Sequence, residues 1–280
     1  MIDGKQVKSI EFPWRLGIVV RMFANLICCA VLAILPLGLF ANGGKAPLRV
    51  GMELAYPPFE MTDASGAPIG VSVSIAEALG EYLGRPVVIQ NIPFQGLIPA
   101  LRTGKIDLIL SSMTRTPERE RSIDFSDPYL TTGLTLLVGK DSGIESVDDL
   151  GKGAVVVVKQ GTTGHLFVMK NCPDAKILVL DKESAAVLEV VQGKADAFVY
   201  DQMSTYKHWQ RNKGSTQAIL DPFHKEYWAI GVRKGNQALL DDVNAFLEEF
   251  REGGGFDALG DEFLAEQKAA FAELGYPFIF

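Results

Sequence analysis

Apolar and polar positions along this chain repeat a strand-then-helix alternation twice. Residues 48–52 (LRVGM) read as a strand, and a turn with Pro57-Pro58 follows. Over residues 73–83 (VSIAEALGEYL) the apolar positions Ile75, Ala78, Leu79 and Leu83 share a helical face, and Gly84-Arg85-Pro86 stops the helix. Residues 87–89 are a second strand, 96–101 (GLIPAL) a short apolar helix and 105–110 (KIDLIL) a third strand. The pattern restarts at Leu134. Residues 135–138 (TLLV) and 154–158 (AVVVV) are buried-strand runs, 165–170 and 183–191 are helical, and 195–200 (ADAFVY) is a further strand. From Asn236 onward the pattern is mostly amphipathic helix. Strands alternating with helices imply α/β layers with largely parallel pairing. One stretch occurs twice, as 101–112 and 190–201: helix end, Gly-Lys-x-Asp turn (Gly104 to Asp107, Gly193 to Asp196), apolar strand, polar tip. This offset is too long for a solenoid repeat. It suits two similar lobes.

Ahead of the alternation lies the apolar run 22–40, preceded by Lys5, Lys8, Arg15 and Arg21 and followed by Ala41-Asn42-Gly43-Gly44. A basic start, an apolar centre and a small-residue exit describe an export signal over residues 1–41. An uncleaved membrane anchor is the alternative, and Pro36 and Gly38 favour cleavage. Cys28 and Cys29 sit mid-run with no small-residue box before them, which argues against a lipoprotein signal. The 280 residues are 48% hydrophobic and 22% charged, enough for a globular chain with two cores. A net charge of −7 speaks against a nucleic-acid partner, since neutralising phosphates needs a basic face. Removal of residues 1–41 would leave a net charge of −9 and Cys172 as the only cysteine, so no internal disulfide is expected.

Open α/β sheets bind ligands just past the carboxyl ends of their strands. Glu53 stands there after the first strand, Ser111, Ser112 and Thr114 after the third. Lys159 and the turn Gly161-Thr162-Thr163-Gly164 follow AVVVV, and Asp201 follows ADAFVY. These groups suit a small polar ligand, although each singly also fits a cap or a solvated loop. Thr116-Pro117-Glu118 has the form of a helix start. Arg119 then falls in a first turn, where the helix dipole disfavours a cation by about 0.3–1 kcal/mol. That placement makes sense for a guanidinium gripping a carboxylate in a bidentate pair; the alternative is a surface cluster neutralised by Glu118 and Glu120. Amides of the 161–164 turn, ahead of a helix, could also meet an anion. Tyr56 and Phe94, in loops after strands, are either core plugs or cleft walls. No nucleophile elbow or H-E-x-x-H motif occurs, and His165, His208 and His224 lack ligand spacing. No catalytic residue, metal or cofactor is expected.

The ordered set Leu48-Arg-Val-Gly-Met-Glu53-Leu-Ala-Tyr56-Pro-Pro-Phe59-Glu60, Phe94-x-Gly-Leu-Ile-Pro-Ala-Leu101, Ser112-Met-Thr114-Arg-Thr-Pro-Glu-Arg119 and Asp124-Phe-Ser-Asp-Pro-Tyr129 continues through Lys159-x-Gly-Thr-Thr-Gly164, Gly193-Lys-Ala-Asp196 and Asp201. Together these motifs resemble the family 3 periplasmic solute-binding proteins that serve ABC importers of polar amino acids. The resemblance implies a type II two-lobed α/β clamshell with two hinge strands. Lobe 1 would span 46–130 and 229–280, lobe 2 134–226, with hinges near 129–135 and 224–230. It implies that Arg119, with Thr114 and the Thr163 amide, holds the ligand α-carboxylate, and that Asp201 with Ser112 takes the α-ammonium. Tyr56 and Phe94 would sandwich the aliphatic part, and Glu53 and Lys159 would face the side chain.

Where relatives often read Gly-Phe-Asp-x-Asp, this chain has Gly70-Val71-Ser72-Val73-Ser74. Loss of the acid at Ser72, which helps relatives bind cationic side chains, argues against lysine or arginine. Glu53 stands where aspartate is usual. The implied function is a periplasmic, monomeric, non-catalytic carrier of a free polar amino acid, glutamine first, handed to membrane permease subunits. The alternatives are a cyclohexadienyl dehydratase-like enzyme on the same scaffold, with Glu53 or Lys159 as acid or base, and a ligand-sensing module. The segment after residue 260 has no expected role.

Overall fold

The computed structural model describes residues 45–151, 153–277 and 280; the expected export signal lies outside them. Its strands are β1 (Leu48–Met52), β2 (Met61–Thr62), β3 (Pro68–Ile69), β4 (Val87–Asn91), β5 (Leu108–Ile109), β6 (Ile123–Gly139), β7 (Val155–Lys159), β8 (Lys176–Leu180), β9 (Ala197–Asp201) and β10 (Thr216–Arg233). Its helices are α1 (Val71–Leu83), α2 (Phe94–Arg102), α3 (Pro117–Glu120), α4 (Thr163–Asn171), α5 (Glu183–Val191), α6 (Gln202–Arg211), α7 (Gln237–Glu252), α8 (Gly255–Phe263) and α9 (Ala265–Glu273). No helix among the described residues is long and apolar enough to cross a membrane.

Eight strands join in the order β4-β1-β5-β10-β6-β9-β7-β8. The long strands β6 and β10 pair antiparallel from Ile123↔Arg233 to Gly139↔Thr216, so both run through the two halves of the molecule. At one end β10 pairs with β5, and β1 lies parallel between β5 and β4. At the other end β6 pairs with β9, and β7 lies parallel between β9 and β8. The result is a two-lobed α/β fold of type II, with β6 and β10 as its two crossing strands. Period-2 alternation divides each lobe's core between the sheet's two faces. Leu108 joins a cluster with Leu48, Val50 and Leu79, whereas Ile109 joins Leu97 and Leu101 on the other face. Likewise Val156 and Val158 pack with Leu134 and Leu136, and Val157 packs with Leu137 and Phe198.

The doubled sequence stretch is a doubled structural device. The Asp107 carboxylate accepts the Arg49 amide at 2.9 Å where β1 begins, and the Asp196 carboxylate accepts the Val155 amide at 2.7 Å where β7 begins. Each aspartate thus ties the turn after a helix to the start of the neighbouring strand. Gly104 (φ 74°) and Gly193 (φ 68°) take the left-handed conformation that lets those helices end.

Several elements differ in extent from the pattern. The strand expected over 105–110 pairs only at Leu108 and Ile109, because the Lys105 and Ile106 amides turn back to the Ala100 carbonyl and close α2. The Lys194 and Ala195 amides bond Glu189 in the same way, so β9 starts at Ala197. Phe94, expected in a loop, is the first residue of α2. The segment after residue 260 continues through α8 into α9, whose Phe271 is buried with its ring 5.4 Å from Tyr206 of α6 and 6.0 Å from Tyr276.

Candidate functional site

The eleven residues singled out in the sequence line one cavity between the lobes, partly open to solvent. Its walls follow from strand ends. Glu53 leaves β1, Ser111 and Ser112 leave β5, Lys159 ends β7 and Asp201 ends β9. Gly164 permits the approach that sets Thr162 and Thr163 there: a Cβ at Gly164 would lie 2.6 Å from the Val199 carbonyl oxygen of β9.

Arg119 is 7% exposed. The short helix α3 begins as expected, with the Thr116 hydroxyl accepting the Arg119 amide and Pro117 in the first turn. The guanidinium donates to the Thr114 carbonyl at 2.6 Å and to the Gly161 carbonyl at 3.1 Å, and no carboxylate among the described residues lies within ion-pair distance of it. Burial pulls its pKa down to about 10, against the pull of Glu226 and Glu118. Its burial excludes the exposed-cluster reading, and Glu120 pairs instead with Arg115. Phe94 packs beneath two cations, with Arg119 Cζ and Lys159 Nζ each 5.5 Å from its ring centre.

Asp201 caps α6, accepting the Ser204 amide at 3.0 Å. Burial pushes its carboxyl up to about 6, although the Ser204 amide and the Tyr56 hydroxyl favour its charged form. Tyr56 stacks on Phe59 at 5.4 Å and meets Trp228 at 5.9 Å and Tyr200 at 6.1 Å, both edge-on. It is therefore both a core plug and a cavity wall. Thr162 spends its hydroxyl locally, donating to the Lys159 carbonyl and accepting the His165 amide.

Lys159, which is buried, and Glu53, which is partly so, form an ion pair across the lobes. Glu53 also accepts the Phe94 amide at 3.3 Å, and its own amide donates to Ser111 Oγ at 2.9 Å. Hydrogen bonds also cross between the lobes, from Arg119 to the Gly161 carbonyl and from Lys207 Nζ to the Pro57 carbonyl at 2.7 Å. Outside the cavity, His208 pairs at 2.5 Å with Glu183. The histidines gather no metal set; among the described residues no cluster of three or more His, Cys, Asp or Glu side chains could hold an ion.

Sequence reasoning did not single out Glu60, Glu226, Tyr200, Trp228 or Leu134, which also line the cavity. Glu60 is buried and accepts hydroxyls from Ser72 (2.7 Å), Ser112 (3.0 Å) and Ser111 (3.3 Å). Burial outweighs those donors and pushes its pKa up to about 8. Ser112 holds its place with φ 48°, the one non-glycine residue at positive φ among the described residues. Such strain of about 1–3 kcal/mol persists where the surroundings over-determine a conformation. Glu226 had a readable signal. Within β10 it lies two residues before Trp228 and four before Ile230, so alternation puts a carboxylate on an apolar inward face.

Residues 48–266 match the bacterial extracellular solute-binding proteins, family 3. The chain is 32% identical over 231 residues to a probable histidine-binding protein of Neisseria gonorrhoeae, covering 81% of this chain and 86% of that one. It is 32% identical over 209 residues to the ABC transporter glutamine-binding protein GlnH of Bacillus subtilis, covering 74% and 76%. Among solved structures, an ancestral arginine-binding protein bound to arginine superposes with a TM-score of 0.74 at 35% identity, covering 79% of this chain and 99% of that one. With the motifs in order, the two-lobed fold in place and a match over most of its length, the chain belongs to the family 3 extracellular solute-binding proteins.

Proposed function

We propose that this protein binds a free polar α-amino acid between its lobes, outside the cytoplasm, and delivers it to the membrane permease of an ABC importer without chemical change. The observation that carries the reading is Arg119, a buried guanidinium with no carboxylate partner among the described residues, sharing one small cavity with Asp201. An α-amino acid supplies the missing anion to the first and an ammonium to the second. Lobe 1 (46–130 and 229–280) contributes Arg119, lobe 2 (134–226) contributes Asp201, and the ligand draws them together. Glutamine is the first choice of ligand, since Glu53 and Lys159 offer an acceptor and a donor to a carboxamide. A second reading, a cationic side chain, is favoured by Glu60, a buried acid lining the same cavity. A thermal-shift panel of the twenty amino acids tests both. Glutamine as the strongest stabiliser supports the first, arginine or lysine the second, and no stabilisation by any of the twenty overturns the function.

A further inference from the structure

Glu226 stands in the wall of the same cavity as Arg119 and Asp201. It is 3% exposed and lines the cavity. One oxygen, Oε2, accepts the Thr114 hydroxyl at 3.3 Å, and the Thr163 hydroxyl lies near enough to favour the charged carboxylate; the other oxygen, Oε1, is buried and makes no hydrogen bond among the described residues. Its charge is felt by both Arg119 and Asp201, the two ends of the proposed head-group seat, yet among the described residues no cation lies within ion-pair distance of it. A buried carboxylate oxygen without a donor is costly unless something supplies one.

An α-ammonium group carries three N–H donors and needs three acceptors. Asp201 accepts the Ser204 amide and has the Tyr56 hydroxyl beside it, and a carboxylate so placed keeps acceptor capacity for an ammonium. Ser112 Oγ, donating to Glu60, keeps acceptor capacity. The third acceptor is unassigned. We propose that Glu226 supplies it: a second carboxylate for the ligand's α-ammonium, held on the crossing strand β10 where it leaves lobe 2 within the expected hinge 224–230. This rests on the amino-acid reading above. Glu226 pairs in register with Thr132 of β6, so the head group is then held by lobe 1 through Arg119, by lobe 2 through Asp201, and by the strand pair about which the lobes move. The ammonium thereby reports directly to the hinge.

Two matched probe pairs test the assignment in the full chain: L-glutamine with glutaramate, and L-arginine with 5-guanidinopentanoate. Each second member lacks only the α-amino group. Calorimetric titration, by displacement where binding is weak, compares wild type with E226Q. The expected result is a loss of about 10- to 100-fold for the amino acid wild type binds better, as for a hydrogen bond to a charged group, with the deaminated partner changed less than about twofold. Equal losses for both members of a pair assign Glu226 a structural role and overturn the proposal. Tighter binding by E226Q also overturns it, because Glu226 then competes for the carboxylate seat formed by Arg119, Thr114 and Thr163. Should E226Q fold poorly by thermal melting, E226D, which retracts the carboxylate by one methylene, must give the same selective loss. Wild type binding none of the probes nor any of the twenty amino acids defeats the functional reading itself, and this inference falls with it.

Discussion

Replacing Arg119 by alanine isolates the contact on which the proposed capture of an amino acid depends. The guanidinium uses two of its five N–H donors on the Thr114 and Gly161 carbonyls, leaving the rest for a ligand carboxylate. Truncation leaves that carboxylate unpaired in a closed cleft, a loss of roughly 2–5 kcal/mol for one partner of a buried charge pair. This converts to about 30-fold to about 5,000-fold in Kd. The ligand-free fold is affected far less. Removing an unpaired buried cation relieves its desolvation, and two carbonyls are released into a solvent-connected cavity, so Tm should shift by less than about 4 °C. R119K keeps the charge but not the fork and falls between wild type and R119A. The assay is calorimetric titration of the best ligand from the amino-acid panel, with thermal melts of each ligand-free variant. A Kd for R119A within about threefold of wild type would refute the assignment of the carboxylate to Arg119. A collapse of Tm would show instead that the guanidinium is a structural post.

Two predictions concern closure. Saturating ligand should lower the radius of gyration in small-angle scattering, as the lobes close about β6 and β10 near residues 129–135 and 224–230; unchanged curves argue against a moving clamshell. K207M removes an interlobe bond outside the cavity, Lys207 to the Pro57 carbonyl. It should weaken every ligand by one common factor by lowering the closed population. Ligand-dependent losses would place Lys207 in contact with the ligand.

Much of this architecture was legible because strand tips are readable from sequence. An apolar run of four or five residues ends in a polar one, and in an open α/β sheet that residue faces the cleft. Glu53, Ser111, Lys159 and Asp201 were all found this way, and all line the cavity. The Gly-Lys-x-Asp repeat was equally visible because each aspartate does the same work, accepting an amide at the start of the neighbouring strand. What escaped reading lay inside elements or in loops. Glu226 sits mid-strand in a stretch mixing His224, Lys225 and Tyr227, where only the alternation with Trp228 marks it as inward. Glu60 follows a proline turn, and its burial depends on Ser72, Ser111 and Ser112 converging from α1 and β5. No local period encodes such convergence. The pairing of Glu53 with Lys159 depends on lobe closure, which sequence spacing does not carry.

The charge of the ligand side chain should be readable as a proton count. Burial raises three cavity carboxyls, Asp201 to about 6, Glu226 to about 7 and Glu60 to about 8. Because these folded values exceed those of an unfolded carboxylate, the stability they contribute is complete below about pH 4 and is lost as pH rises through 6 to 8. The ligand-free protein should therefore melt at lower temperature at pH 8 than at pH 5. A bound ammonium favours the charged forms of Asp201 and Glu226 and expels their protons. At pH 7 Asp201 is mostly ionised and Glu226 half so, giving a release of roughly half a proton. Glutamine adds nothing to this, since a neutral carboxamide leaves Glu60 protonated. Arginine brings a cation into the cavity, and if it ionises Glu60 the release rises to roughly one and a half protons. The slope of log affinity against pH must carry the same count, so affinity rises with pH for both ligands and more steeply for the cationic one. Titrations at pH 7 in buffers of different ionisation enthalpy give the number directly. Proton uptake on binding, or an affinity that falls as pH rises from 6 to 8, would refute the placement of the ammonium among these carboxyls.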